Sequence, residues 1–61
     1  MKYRTDKVYI DKINDLSKYA AKMNEAIISE DISDILSFAN RIGELKNEIE
    51  SRILFCVITN S

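Results

Sequence analysis

The chain has 61 residues, 46% of them hydrophobic and 31% charged, with a formal net charge of -1, one cysteine and no histidine. These figures exclude histidine-based hydrolase sites, imidazole metal sites and an internal disulfide, and they disfavour a generic polyanion binder. We therefore expect a single domain over residues 1–61 that is not an enzyme, holds no metal or cofactor, and is small enough to need association with other chains.

The first predicted element is a helix over about residues 6–28, which Thr5 or Asp6 can cap at its N-terminus. Apolar or small residues then recur at alternating spacings of four and three, the heptad pattern of a helix that packs against another helix. This first seam consists of Tyr9, Ile13, Leu16, Ala20, Met23 and Ile27.

A turn is predicted between Ser29 and Asp34, a segment that offers Ser29, Asp31 and Ser33 as helix N-caps. Because the segment has no Gly or Pro, one continuous helix of about fifty residues is the alternative. Heptad steps beyond the first seam decide against it, since they land only on polar residues. A second helix over about residues 32–57 is therefore predicted. Its own seam consists of Ile35, Ala39, Ile42, Leu45 (or Lys46), Ile49 and Ile53.

The second helix ends in six successive apolar residues, 53–58. At about 100° per residue they cover every side of a helix, so helix one cannot bury them all. The run is far short of the ~20 apolar residues that span a bilayer. The first residues also lack the pattern of a signal peptide, a charged segment followed by an apolar one. We therefore expect a soluble cytoplasmic protein with no membrane partner. Cys56 is expected to pack in the core. Oligomer contacts are predicted at Val8, Tyr9, Ile10, Leu54, Phe55 and Ile58.

Folded back on each other, the two seams pair in antiparallel layers, from Ile27 with Ile35 at the turn to Tyr9 with Ile53 at the open end. In two middle layers a small residue meets a large one. The predicted fold class is all-α: an antiparallel two-helix hairpin that assembles into a homodimeric four-helix bundle or a higher helical oligomer. In length, hairpin pattern and core layers the chain resembles Rop, the plasmid RNA-modulating protein whose hairpins dimerise into such a bundle. The resemblance covers about residues 6–57, is architectural, and carries over no RNA-binding residue.

Charge is distributed unevenly along the chain. Residues 1–22 hold six of the nine Lys and Arg residues, and residues 23–61 hold seven of the ten Asp and Glu residues. We interpret the two halves as flanks that compensate each other in the hairpin, with solvated lysines. If nucleic acid or another anion binds, the candidate contacts are Lys7, Lys12, Lys18 and Lys22.

Three aromatic residues, Tyr3, Tyr19 and Phe38, lie off or beside the seams and are candidate contacts for another protein. With no catalytic set, the chain is expected to be a small interaction protein, an oligomeric adaptor or inhibitor of a larger protein. Its Lys-, Ile- and Asn-rich composition resembles accessory proteins of phages or mobile elements, which implies a viral type of inhibitor. The alternatives are a Rop-like RNA- or DNA-binding bundle and, third, an oligomer that sequesters a small anionic ligand.

Overall fold

The computed structural model describes residues 3–59 as two antiparallel helices. A 3-10 turn, Tyr3–Thr5, precedes helix α1, Lys7–Ile28, and helix α2 follows as Ile32–Thr59. No strand occurs within residues 3–59. The predicted all-α hairpin is confirmed, and α2 extends two residues beyond its predicted end.

Helix α1 is capped at its N-terminus by Asp6, one of the two predicted caps. Asp6 has extended backbone angles (φ -72°, ψ 124°), and its Oδ2 accepts a hydrogen bond of 3.0 Å from the Tyr9 N–H. The Asp6 N–H in turn donates to the Tyr3 carbonyl at 3.1 Å. The cap therefore satisfies one of the free N–H groups of the first turn and also fixes the direction from which the chain enters α1.

Helix α1 ends in a Schellman motif that needs no glycine. The Asp31 N–H donates to the Ala26 carbonyl at 3.0 Å, and the Glu30 N–H donates to the Ile27 carbonyl at 3.2 Å. Glu30 takes the left-handed conformation (φ 59°) that glycine usually supplies at this position. Ser29 is the C-cap residue. The chain therefore reverses without the Gly or Pro whose absence made a continuous helix the alternative.

Helix α2 is capped by Asp31, one of the three predicted candidates. Its Oδ1 accepts a hydrogen bond of 3.1 Å from the Asp34 N–H, and its carbonyl accepts the first helical bond from the Ile35 N–H at 2.9 Å. Because Asp31 both closes the motif at the end of α1 and opens α2, the connection between the helices is short and geometrically defined.

The two helices bury few side chains between them. Among residues 3–59 the buried apolar side chains are Ala26, Leu45, Ile49 and Cys56, and Leu45 is fully enclosed (0% exposed). Cys56 is a free cysteine that is 1% exposed, which confirms its predicted place in the core. The Cα envelope measures 46 × 15 × 10 Å. The hairpin is thus a single layer of helices, whereas a stable domain usually packs two layers round its core.

The predicted packing layers require a correction. Ala20, Ile27 and Ala39 were assigned to the intramolecular seams, but all three are exposed. Seen down the helix axis, with about 100° per residue, the buried and half-buried residues of each helix have one mean direction and the seam residues have another. The two directions differ by about 40° in each helix. Both seams are displaced toward the same broad face of the hairpin, so the heptad pattern does not point straight at the partner helix.

Gly43 lies inside α2 and faces open space. A Cβ added there would meet no heavy atom within 4 Å, so contact with α1 does not explain the glycine. We expect Gly43→Ala to stabilise the protein by about 0.5–1 kcal/mol, because alanine loses less backbone entropy in a helix. Thermal unfolding followed by circular dichroism measures this as a higher Tm. A lower Tm would show instead that another chain approaches the Gly43 backbone closely.

Candidate interaction surfaces

The most distinctive surface of the hairpin is one broad side with almost no charge, which we call the apolar face. It is the side toward which both heptad seams are displaced. Helix α1 contributes no charged residue to it, and the polar residues there are Ser17 and Asn24. Helix α2 contributes Lys46, whose Nζ lies 3.1 Å from Oε1 of Glu50 at the margin of the same face. The apolar face comprises Ile13, Ser17, Ala20, Asn24, Ile27, Ile35, Ala39, Ile42, Lys46, Ile53 and Val57.

The opposite side, the polar face, carries several ion pairs, one of which joins the two helices. Lys12 Nζ lies 3.2 Å from Glu48 Oε1, and Arg41 Nη1 lies 3.5 Å from Glu48 Oε2 and 3.7 Å from Glu44 Oε2. Glu48 Oε2 is itself buried, and within residues 3–59 it accepts no hydrogen bond, so Arg41 balances its charge without a well-aligned bond. The basic first half and acidic second half therefore do meet across the hairpin.

The open end of the hairpin is held by an ion pair between Asp6 and Arg52. Arg52 Nε and Nη2 donate to the two Asp6 carboxylate oxygens at 2.6 and 2.9 Å. Asp6 is only 5% exposed, and the Arg52 guanidinium lies 4.3 Å from the centre of the Phe55 ring. The hydrogen bonds from Arg52 lower the pKa of Asp6; burial opposes them, and the Tyr9 N–H adds to them. One carboxylate therefore caps α1 and fastens α2 to it.

Sequence reasoning did not find the Asp6–Arg52 pair. The two residues are 46 positions apart, and no spacing rule links them. The one available signal was that Asp6 is an N-cap candidate at the same end of the hairpin as the apolar run. A charge that lies among apolar residues needs a partner, and the adjacent Arg52 can supply it.

The predicted oligomer residues divide between different sides of the molecule. Tyr9 is half-buried and Ile10 is exposed at the edge of the apolar face. The other four are exposed outside that face. Of these, Val8 and Phe55 lie on the polar side of the open end, and Leu54 and Ile58 lie on the outer side of α2. The structure therefore does not bring the six residues into one patch.

The three predicted partner aromatics make contacts within the chain. Tyr3 packs edge-on against Tyr9, with ring centroids 5.2 Å apart, and Tyr19 lies 6.0 Å from Phe38 across the helices. All three are half-buried. Their exposed edges remain available to a partner, but much of each ring already stabilises the hairpin.

The candidate lysines do not form a continuous basic strip. Lys7, Lys18 and Lys22 are exposed along α1, where Asp11 and Asp15 lie between them in the sequence. The Lys22 Nζ lies 5.6 Å from the centre of the Tyr19 ring. The fourth candidate, Lys12, pairs with the glutamate on α2 described above. A bound polyanion would thus face carboxylates as well as ammonium groups.

A shallow groove of about 520 Å³ lies on the polar side near the open end. It is lined by Lys12, Asn47, Glu48, Ser51, Arg52 and Phe55. These side chains offer an ammonium group, a carboxylate, a guanidinium group and one aromatic ring, which suit binding of a polar and aromatic segment. Within residues 3–59 no group of three or more Cys, Asp or Glu residues is placed to hold a metal ion. In the same part of the chain, neither helix has an apolar stretch long enough to cross a bilayer.

No known protein family, curated protein or solved structure matches this chain. The likeness to Rop is one of helical pattern.

Proposed function

We propose that this protein is a non-enzymatic interaction protein, an oligomeric adaptor or inhibitor that binds a larger protein, of the kind found among phage and mobile-element accessory proteins. The observation that supports the proposal is the amount of apolar surface left outside the hairpin. Ten large hydrophobic residues are 41–76% exposed, more than twice the four apolar residues that are buried. Four of the ten, Leu54, Phe55, Val57 and Ile58, lie in the last turns of α2, and an exposed apolar cluster of this kind is typical of a protein interaction site.

The groove at the open end is the proposed site for the larger protein. There the Phe55 ring, 48% exposed, lies against the Arg52 guanidinium. Aromatic residues and arginine are the types that contribute most to binding energy at protein interfaces. The Asp6 ion pair holds the guanidinium in place, so little conformational entropy is lost when a partner docks on it.

Affinity capture from the native host tests this proposal. The tagged chain serves as bait beside Phe55→Asp and a matched control, Ser37→Asp, which adds the same charge at an exposed position of α2. We expect mass spectrometry to find one larger protein in stoichiometric amount with the wild type and the control, and a loss of at least tenfold with Phe55→Asp.

Other outcomes of the same capture contradict the proposal. Bound nucleic acid that is lost steeply with added salt would support the Rop-like alternative through Lys7, Lys12, Lys18 and Lys22. A bound nucleotide or other small anion would support the third function, sequestration of an anionic ligand. Equal capture of a partner by the wild type and Phe55→Asp would place the binding site elsewhere on the hairpin.

A further inference from the structure

We propose that a second copy of this chain covers the apolar face, so that two hairpins close into a four-helix bundle. The inference rests on the proposed function as an interaction protein, and it names one partner and its surface. It differs from the predicted oligomer contacts at the open end, because it places the interface along the length of both helices.

The direction of the two heptad seams supports a second pair of helices. In a two-helix coiled coil the seam points straight at the partner helix. In a square bundle of four helices it points at the bundle axis, about 45° away from either neighbour. Here both seams lie about 40° from the intramolecular contact, on the same side. The exposed seam residues Ala20, Ile27 and Ala39 would then face the axis of the bundle.

The side chains of the apolar face complement the same face of a second copy better than they complement a charged partner. Lys46 on this face and Glu50 at its margin pair with each other. The polar residues on α1, Ser17 and Asn24, are uncharged, and the alanines Ala20 and Ala39 leave room between the larger isoleucines. Large and small side chains on one face can interdigitate with the same face of a second copy, as a two-fold symmetric interface requires.

The area of the apolar face is close to what a stable dimer buries. A compact chain of 7.0 kDa is expected to expose about 4,000 Å², and this hairpin exposes 4561 Å². The face extends along the 22 residues of α1, about 33 Å at 1.5 Å per residue, and across two helices, about 18–20 Å. This gives roughly 600 Å² in projection and more along the corrugated surface. A stable interface typically buries about 800 Å² per partner.

The mass of the protein in solution tests the inference. We expect analytical ultracentrifugation of the wild type to give twice the chain mass of 7.0 kDa. The double variant Ala20→Glu with Ala39→Glu should weaken association at least 100-fold, because it places four carboxylates in the interface of the dimer. Both alanines are exposed in the hairpin, so the substitutions should change the stability of a single hairpin little. Asn14→Glu with Asn40→Glu, which adds the same charge at exposed positions outside the apolar face, is the control, and it should remain dimeric.

A second comparison separates this inference from the proposed function. Phe55→Asp should lose the larger partner and keep the dimer mass, whereas the alanine double variant should lose the dimer mass. A wild type that stays monomeric at about 100 µM, or a double variant that stays dimeric, would overturn the inference. A monomeric wild type that binds neutral phosphatidylcholine vesicles would overturn it too, since a lipid surface would then cover the face. Dissociation by Phe55→Asp alone would place the interface at the open end instead.

Discussion

Leu45→Ala is expected to destabilise this protein more than any other single truncation of an apolar side chain. Leu45 is 0% exposed and lies in the middle of α2. Removing a buried leucine side chain typically costs about 2–5 kcal/mol, because burial is lost and a cavity remains. A domain of this length has a total stability of roughly 3–9 kcal/mol. We therefore expect Leu45→Ala to lose roughly half of the stability of the protein.

Urea unfolding followed by circular dichroism measures this effect, with wild type and variant at one protein concentration because association contributes to stability. Leu36→Ala is the matched control. Leu36 belongs to the same helix and is 65% exposed, on the side of α2 away from α1. Its truncation should change the stability by about 0.5 kcal/mol or less. If the two variants unfolded at the same urea concentration, Leu45 would not be the centre of the core.

The two helices and the turn could be predicted from the sequence because their signals are local. The heptad spacings, the capping residues Asp6 and Asp31, and the break in phase after Ile27 all act within a few residues. The conformation of Glu30 was not predictable, since no local rule prefers glutamate in the left-handed region. It is held there by the two hydrogen bonds of the Schellman motif.

The orientation of the helices was harder to predict than their existence. A heptad seam identifies an apolar stripe, but it does not say whether one helix or three others cover that stripe. The predicted layers paired Ala20, Ile27 and Ala39 across the hairpin, but these three side chains are exposed in the hairpin alone. The same residues define the apolar face, so the failed prediction also locates the surface proposed for the second copy.

Some of the polar contacts could be predicted from the sequence, and others required the folded structure. The compensation of charge between the two halves was predictable from composition, and the pairing of Lys12 with Glu48 realises it. The bidentate pair of Asp6 and Arg52 depends on where the open end closes, which requires the folded hairpin. The groove beside Phe55 depends in turn on this pair, so it could not be predicted before the fold was known.

Asp6→Asn is expected to lower the stability of the protein at neutral pH and to remove a defined part of its acid sensitivity. Asparagine is as good an N-cap as aspartate, so the substitution keeps the cap of α1 and removes the charge that faces Arg52. We expect the Tm at pH 7 to fall by roughly 5–10 °C, because the guanidinium group loses its carboxylate partner at the open end.

The sign of the pH dependence follows from the lowered pKa of Asp6. A carboxyl group whose pKa is lower in the folded state stabilises the fold above its ordinary value of 3.8, and this stabilisation is lost as the pH falls through the folded pKa. The Tm of the wild type should therefore exceed that of Asp6→Asn above pH 3.8 and approach it as the pH falls through the lower pKa of the folded state. Asp11→Asn, at an exposed position of the same helix, should follow the wild type throughout. A constant difference between wild type and Asp6→Asn across this range would mean that the ion pair does not fasten α2 to the cap of α1.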